Sequence, residues 1–128
     1  MGAKEKATAL HERGFNCAQS VLGALGEYTG LDENTEMALS GGFGGGVRCG
    51  EICGAVSGGV MALGLAFPPE KNGNRISALA RSYTAEFQQK YGCIRCLDLK
   101  KNRIPCAELI EYAAELAESY IQKNREAE

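Results

Sequence analysis

Residues 51–65 of this chain read Glu-Ile-Cys-Gly-Ala-Val-Ser-Gly-Gly-Val-Met-Ala-Leu-Gly-Leu. After Glu51 the stretch carries no charged side chain, and it is apolar or small on every side of a helix. A helix of this kind is buried all round, and its glycines and alanines let neighbouring helices approach closely. We therefore predict a central buried helix with the rest of the chain packed around it.

The segments on either side show the helical periodicity of apolar residues, and none shows the alternation of a strand. Asn16 and Asp32 are suited to cap helix N-termini, and Pro105 suits the first turn of the last helix. The sequence predicts one all-α domain over residues 1–128, a compact bundle of five to six helices around the Gly/Ala-rich central helix. The predicted helices run from about Ala3 to Arg13, Asn16 to Gly30, Glu33 to Leu39, Glu51 to Leu65, Ile76 to Gly92 and from Pro105 onward, with breaks at Pro68-Pro69 and 71–74 and a loop from Cys93 to Ile104.

Composition and charge restrict the class of partner. The chain has 14 Lys and Arg against 16 Asp and Glu, a net charge of −2 that gives no electrostatic reason to expect nucleic acid. Its longest apolar run, 52–69, contains glycines and falls short of the roughly 20 residues that span a bilayer. The N-terminal residues are charged and lack the apolar core of a signal peptide. We therefore expect a cytoplasmic protein that has neither nucleic acid nor a membrane as its partner.

The six cysteines need an explanation. They fall below the roughly 8–10% that marks a disulfide scaffold, and clustered thiols in a reducing compartment indicate metal binding or redox chemistry. Four of them lie at or near predicted helix N-termini, namely Cys17, Cys49, Cys53 and Cys106. Backbone N–H groups and the helix dipole favour the thiolate there, which predicts lowered pKa values. Cys93 and Cys96 form a C-x-x-C pair in a basic loop, and the positive charges of that loop also favour the thiolate form. The alternative is that these thiols pack as small hydrophobic residues.

A glycine-rich segment over 41–50 precedes the central helix. It matches neither G-x-G-x-x-G nor the P-loop pattern, and no predicted strand precedes it. Its backbone N–H groups could point at an anion or at the sulfur atoms of a cluster. The candidates for this cofactor-binding role are Gly44, Gly45, Gly46 and Gly54. Close helix packing without a ligand is the alternative for the same glycines.

Other chemistries have little support in the sequence. His11 is the only histidine, and because it lies on a charged helix we expect a surface residue rather than a ligand. A single histidine disfavours His-ligated zinc and Cys–His catalysis. The chain contains no C-x-x-C-H, which excludes covalent c-type haem attachment within it.

Four motifs carry a family resemblance: Gly-Phe-Asn-Cys17-Ala-Gln-Ser-Val, Arg48-Cys-Gly-Glu-Ile-Cys53-Gly-Ala-Val-Ser-Gly58, Tyr-Gly-Cys-Ile-Arg-Cys96 and Pro-Cys106. In this order they resemble the redox-active family named C_GCAxxG_C_C, although residues 53–58 read Cys-Gly where the family name has Gly-Cys. The resemblance implies a redox role. It also transfers the four family cysteines onto Cys17, Cys53, Cys96 and Cys106, with Cys49 and Cys93 as auxiliary thiols.

Four functions remain open at this point. The leading hypothesis is that the four family cysteines converge as metal ligands of an iron–sulfur cluster, used in electron transfer with a redox partner protein. The second is a metal-free thiol–disulfide oxidoreductase or redox sensor in which Cys53 or Cys106 attacks. The third is a structural zinc site of four cysteines, and the fourth is a helical interaction module with unreactive thiols. The small residues on the helix faces are also compatible with a homodimer.

Overall fold

The computed structural model describes residues 2–67 and 74–126. Within these ranges it contains eight α-helices and no β-strand, which confirms the all-α prediction. The turns predicted at Pro68-Pro69 and at 71–73 lie outside the described residues. The helices are α1 (Ala3–Glu12), α2 (Cys17–Ala24), α3 (Gly26–Thr29), α4 (Glu33–Ser40), α5 (Gly54–Leu65), α6 (Arg75–Tyr91), α7 (Cys96–Lys101) and α8 (Cys106–Glu126).

Helix α5 is the predicted central helix, and it packs against α2, α6 and α8. Two of its glycines permit close contacts with neighbouring helices. A Cβ atom on Gly58 would lie 2.7 Å from the backbone oxygen of Ala18 in α2, and one on Gly59 would overlap the hydroxyl group of Tyr83 in α6. At Gly58 the obstacle is helix backbone, and at Gly59 it is the fully buried Tyr83 ring. Because neither can yield as an exposed flexible side chain can, these two glycines set the spacing of the bundle.

Two predicted N-caps are confirmed. The Asn16 side chain accepts a hydrogen bond of 2.9 Å from the Gln19 backbone N–H, and the Gln19 side chain accepts one of 3.0 Å from the Asn16 N–H. This reciprocal pair is a capping box. The Asp32 side chain accepts one of 2.7 Å from the Thr35 N–H, and this bond lowers the pKa of Asp32.

The count of helices is higher than predicted because two short ones were missed. The helix predicted to run unbroken to Gly30 turns at Leu25, whose backbone leaves the helical region at φ −101° and ψ 17°, and α3 follows. Leu25 is fully buried, and the turn lays α3 against α5. The predicted loop from Cys93 to Ile104 contains α7.

The central helix begins at Gly54, three residues later than predicted. Residues 51–53 are extended instead and pair with residues 94–96 through an isolated antiparallel bridge between Ile52 and Arg95. This pairing occupies the backbone groups that a longer α5 would have used.

Candidate functional site

Four helix starts meet at one end of the bundle. Cys17, Cys96 and Cys106 are the first residues of α2, α7 and α8, and Cys53 directly precedes α5. All four line one cavity of about 220 Å³, here termed the four-cysteine cavity. The other residues that line it are His11, Asn16, Gly45, Leu99, Lys100, Ile104 and Leu109.

Backbone hydrogen bonds bring Cys53 and Cys96 together. The Cys53 N–H donates to the carbonyl oxygen of Ile94 at 2.7 Å, and the Cys96 N–H donates to that of Glu51 at 2.6 Å. Cys53 and Cys96 are both buried. The extended pairing of 51–53 with 94–96 therefore holds two of the four thiols in a fixed relation that does not depend on a disulfide.

Cys17 is held against the start of α5. Its Sγ atom lies so close to Gly54 that a Cβ atom there would overlap it. The Asn16 side chain also donates a hydrogen bond of 3.0 Å to the carbonyl oxygen of Gly41, which ties α2 to the glycine-rich segment. Gly54 thus makes room for a thiol.

The glycine-rich segment forms an ordered wall of the site. Four successive residues, Gly45, Gly46, Val47 and Arg48, have positive φ angles and make a left-handed turn. Gly45 lines the four-cysteine cavity. A Cβ atom on Gly46 would lie 2.9 Å from the Cβ of Cys96, and one on Gly44 would lie 2.6 Å from the Asn16 side chain. Gly44 and Gly46 therefore allow the loop to approach the residues that line the cavity, and their binding of a cofactor through backbone N–H groups stays a prediction.

The pKa of two cysteines runs opposite to the expectation from their helix-start positions. Burial raises the pKa of Cys53 to about 12, although N–H groups of Val56 and Ala55 donate to its sulfur and counter the shift. Cys106 is exposed as a residue, but partial burial of its thiol also raises its pKa, against the opposing charge of Lys100. The prediction of lowered pKa values is wrong at both residues because loss of solvation outweighs the backbone dipoles. The sequence does not show how deeply a helix start is buried.

Two further polar residues of the cavity were missed or misassigned. His11 was expected at the surface, yet it is half-buried and lines the four-cysteine cavity from the last turn of α1. Lys100 lies one helical turn after Cys96 on α7, so both occupy the same face of that helix. The i, i+4 spacing of Cys96 and Lys100 was the available signal, but it required recognising α7.

The auxiliary cysteines lie outside this cavity. Cys49 is exposed, and its thiol donates a long hydrogen bond of 3.5 Å to the Gly46 oxygen. The Cys93 thiol contacts the Tyr91 oxygen and the Asn102 side chain, each at 3.8 Å. All six cysteines are free thiols. The structure therefore separates the four family cysteines from Cys49 and Cys93, and that division gives matched control positions.

The four cysteines share the lining of one cavity. Within residues 2–67 and 74–126, no group of three or more His, Cys, Asp or Glu side chains is arranged to hold a metal ion. A tetrahedral zinc site would require four sulfur atoms about 2.3 Å from one centre. Among the same residues, no helix has the length and apolar character needed to cross a membrane.

The chain matches the model of one protein family over residues 15–120, and that family is described as "Putative redox-active protein (C_GCAxxG_C_C)". The matched range contains every cysteine of the chain. No curated protein and no solved structure matches the chain.

Proposed function

The chain belongs to the C_GCAxxG_C_C family of redox-active proteins, and we propose that it is an electron-transfer protein that holds an iron–sulfur cluster in the four-cysteine cavity. The ligands would be Cys17, Cys53, Cys96 and Cys106. The observation that carries this proposal is the meeting of these four thiols, from four separate helix starts, around one cavity. Four cysteine thiolates are the usual ligand set of [2Fe–2S] and [4Fe–4S] clusters.

The cavity suits a group larger than one ion. Its volume of about 220 Å³ leaves room for several water molecules. A single zinc ion would leave most of that space unfilled, whereas a multinuclear cluster would occupy it. When bound, such a cluster accepts and donates single electrons. These features favour the cluster over the structural zinc site.

The protein residues around the cavity have defined tasks in this proposal. The Ala55 and Val56 N–H groups donate to the Cys53 sulfur, and hydrogen bonds of this kind tune the potential of sulfur-ligated centres. Lys100 supplies positive charge beside Cys106, which favours its thiolate form. Leu99 and Leu109 are buried and exclude water from the same wall.

The thiol–disulfide alternative is less well supported. An attacking thiol needs a substantial thiolate fraction near neutral pH. Burial raises the pKa of Cys53 to about 12 and that of the more exposed Cys106 in the same direction, which disfavours an activated thiolate at either position in the metal-free chain. A coordinating metal removes this difficulty, because it deprotonates the thiols that bind it.

The decisive experiment is anaerobic purification or reconstitution with iron and sulfide, followed by absorption spectroscopy and iron and sulfide analysis. We expect a brown protein with iron and sulfide near one cluster per chain. Cys→Ser variants at positions 17, 53, 96 and 106 should each lose most of the iron. Cys93→Ser is the matched control and should keep it, since Cys93 lies outside the cavity.

Three outcomes would contradict the proposal. Colourless protein with a disulfide between two cavity cysteines would favour the oxidoreductase. Stoichiometric zinc, with helicity lost on chelation, would favour the structural metal site. Equal iron loss in Cys93→Ser and Cys53→Ser would show that the iron is not bound by the four-cysteine cavity.

A further inference from the structure

A second, more open cavity of about 400 Å³ adjoins the four-cysteine cavity. Gly45, Cys96 and Lys100 line both cavities. The wall between them is therefore thin, because one of its members has no side chain and another is a cavity cysteine. A molecule seated in the outer cavity would be separated from the four thiols only by these groups.

Apolar side chains stand exposed on the segments that form this outer cavity. Val47 is 50% exposed and Leu97 is 47% exposed. Leu97 lines the outer cavity, and Val47 directly precedes Arg48, which also lines it. An apolar patch bordered by charged side chains is typical of a protein-binding surface. Val47, Arg48, Leu97, Lys100 and Lys101 are here termed the docking face.

The docking face is basic although the chain as a whole is acidic. Residues 41–53 and 93–106 contain five of the 14 basic residues but two of the 16 acidic ones, so these segments carry +3 and the remaining chain carries −5. Both local acids, Glu51 and Asp98, lie near Arg95, at 3.3 and 3.8 Å. Across the described ranges, no carboxylate forms an ion pair with Arg48, Lys100 or Lys101.

The backbone of the docking face is strained where it projects outward. Val47 and Arg48 have φ angles of 58° and 59°. Left-handed backbone is unfavourable for L-residues, and a β-branched residue is a strong outlier there. The exposed Val47 side chain adds little core burial to offset this cost. Strain of this kind, next to a candidate site, is characteristic of functional surfaces.

We propose that the docking face binds an acidic electron-transfer protein whose carboxylates surround an apolar contact. This inference rests on the proposed function and names the partner class for the same site. One electron passes between the partner's redox centre and the group in the four-cysteine cavity: the electron that one centre loses the other gains, and no bond or proton is transferred. Opposite charges at the rim steer the encounter, and the apolar contacts hold the complex.

Binding and electron transfer can be measured separately. The probe is a [2Fe–2S] ferredoxin of strongly negative net charge, with a positively charged cytochrome c as the control. Calorimetric titrations of the reduced metal-free chain and of the iron-loaded chain would be run at low salt and at about 0.15 M salt, where screening is strong. We expect the ferredoxin to bind both forms, more weakly at the higher salt, and the cytochrome not to bind.

Charge-reversal variants locate the surface. Arg48→Glu and Lys101→Glu should each weaken ferredoxin binding about tenfold, through slower association. Lys123→Glu is the matched control, since Lys123 is also a basic residue in the last turn of a helix but lies at the far end of α8 from Cys106. It should leave binding unchanged. Far-ultraviolet circular dichroism establishes that each variant is folded.

The outcomes separate the two proposals. Equal weakening by Lys123→Glu, equal binding of the cytochrome, or tighter binding of single-stranded DNA or anionic vesicles to the docking face would overturn the inference. Ferredoxin binding by a chain that never takes up iron would sustain the docking face and contradict only the proposed function. Iron uptake without any ferredoxin binding would contradict the docking face and leave the proposed function intact.

Discussion

Two groups of glycines lie close together in the sequence and serve different physical needs. In the loop, Gly45, Gly46 and Gly50 have positive φ angles. In α5, Gly58 and Gly59 have ordinary helical backbone, but a side chain at either position would collide with α2 or α6. The loop glycines thus supply backbone conformations that other residues rarely adopt, and the helix glycines supply space.

This difference assigns the two groups to different tasks. The helix glycines set how closely α2 and α6 approach α5, so they build the bundle. The loop glycines bring the backbone against Cys96 and into the wall of the four-cysteine cavity, so they shape the site. Substitutions in the first group should chiefly lower stability, and those in the second should chiefly affect the cavity.

The largest effect is expected for Gly58→Ala. Its Cβ atom would lie 2.7 Å from the Ala18 backbone oxygen, so α2 and α5 must separate. We expect a loss of about 3 kcal/mol in the free energy of unfolding, which is on the order of 10 °C in Tm. Thermal melts followed by circular dichroism measure this change.

Gly64→Ala is the matched control in the same helix. No atom lies within 4 Å of a Cβ there, so the variant should gain about 0.5 kcal/mol from its higher helix propensity. Equal melting temperatures for the two variants would show that close packing at Gly58 is not what stabilises the bundle.

The next effect is expected for Gly46→Ala in the loop. Its φ angle is 67°, and its Cβ would lie 2.5 Å from the Glu51 backbone and 2.9 Å from the Cβ of Cys96. We expect a stability loss of about 2 kcal/mol and a loss of most bound iron, because the loop must move away from Cys96. Iron analysis and chemical denaturation measure the two losses.

Gly42→Ala serves as its control, since Gly42 has no positive φ and open space around it. It should retain iron and stability. Full iron loading in Gly46→Ala would contradict the claim that the loop glycines shape the four-cysteine cavity.

Features set by local sequence could be predicted, and those set by burial could not. Periodicity and caps predict the long helices and the all-apolar α5, because local sequence determines these features. The break at Leu25 lies between Gly23 and Gly26, but a single glycine is tolerated within a helix and does not by itself predict a turn; the buried Leu25 and the packing of α3 on α5 show why the chain turns there. The raised pKa of Cys53 likewise depends on burial, which the position of a residue at a helix start does not reveal.

The cysteines of the site could be predicted from the sequence, but the other residues around them could not. The family motif selects Cys17, Cys53, Cys96 and Cys106, and these are the cysteines that line the cavity. His11 was predicted at the surface and Lys100 only in a basic loop, because their places in the cavity depend on how α1 and α7 pack. A run of glycines permits many backbones, so the left-handed turn at 45–48 could not be derived from composition.

A smaller effect, of opposite sign, is expected for Val47→Gly. Glycine relieves the positive φ but gains freedom in the unfolded chain, so we expect a net stabilisation of about 0.5–1 kcal/mol. Val60→Gly makes the same substitution in the helical backbone of α5 and should lose about 1 kcal/mol or more. Urea denaturation compares them, and destabilisation by both would refute strain at Val47.

The smallest effect is expected for Glu36, a buried carboxyl group for which Gly26 leaves room. A Cβ there would lie 3.3 Å from an oxygen of Glu36, which is 2% exposed and accepts a 2.8 Å hydrogen bond from the Thr29 hydroxyl. Burial raises the pKa of Glu36, with a smaller contribution from the neighbouring Glu33 and Asp32 charges. The folded state therefore favours the protonated form.

It follows that Glu36 lowers stability as pH rises above about 4.3, the ordinary value for an unfolded glutamate. Glu36→Gln should raise Tm at pH 7 by about 1–2 °C and have little effect at pH 4. Exposed Glu33→Gln is the control and should show no such pH dependence. A Tm difference between wild type and Glu36→Gln that is the same at pH 4 and pH 7 would refute ionic burial at Glu36.

The most direct test of the central claim is a crystal structure of the anaerobically reconstituted protein, with anomalous diffraction measured at the iron absorption edge. The account predicts iron density inside the four-cysteine cavity, bonded to the Sγ atoms of Cys17, Cys53, Cys96 and Cys106. Iron bound elsewhere, or cavity cysteines joined in disulfides with no iron between them, would contradict it.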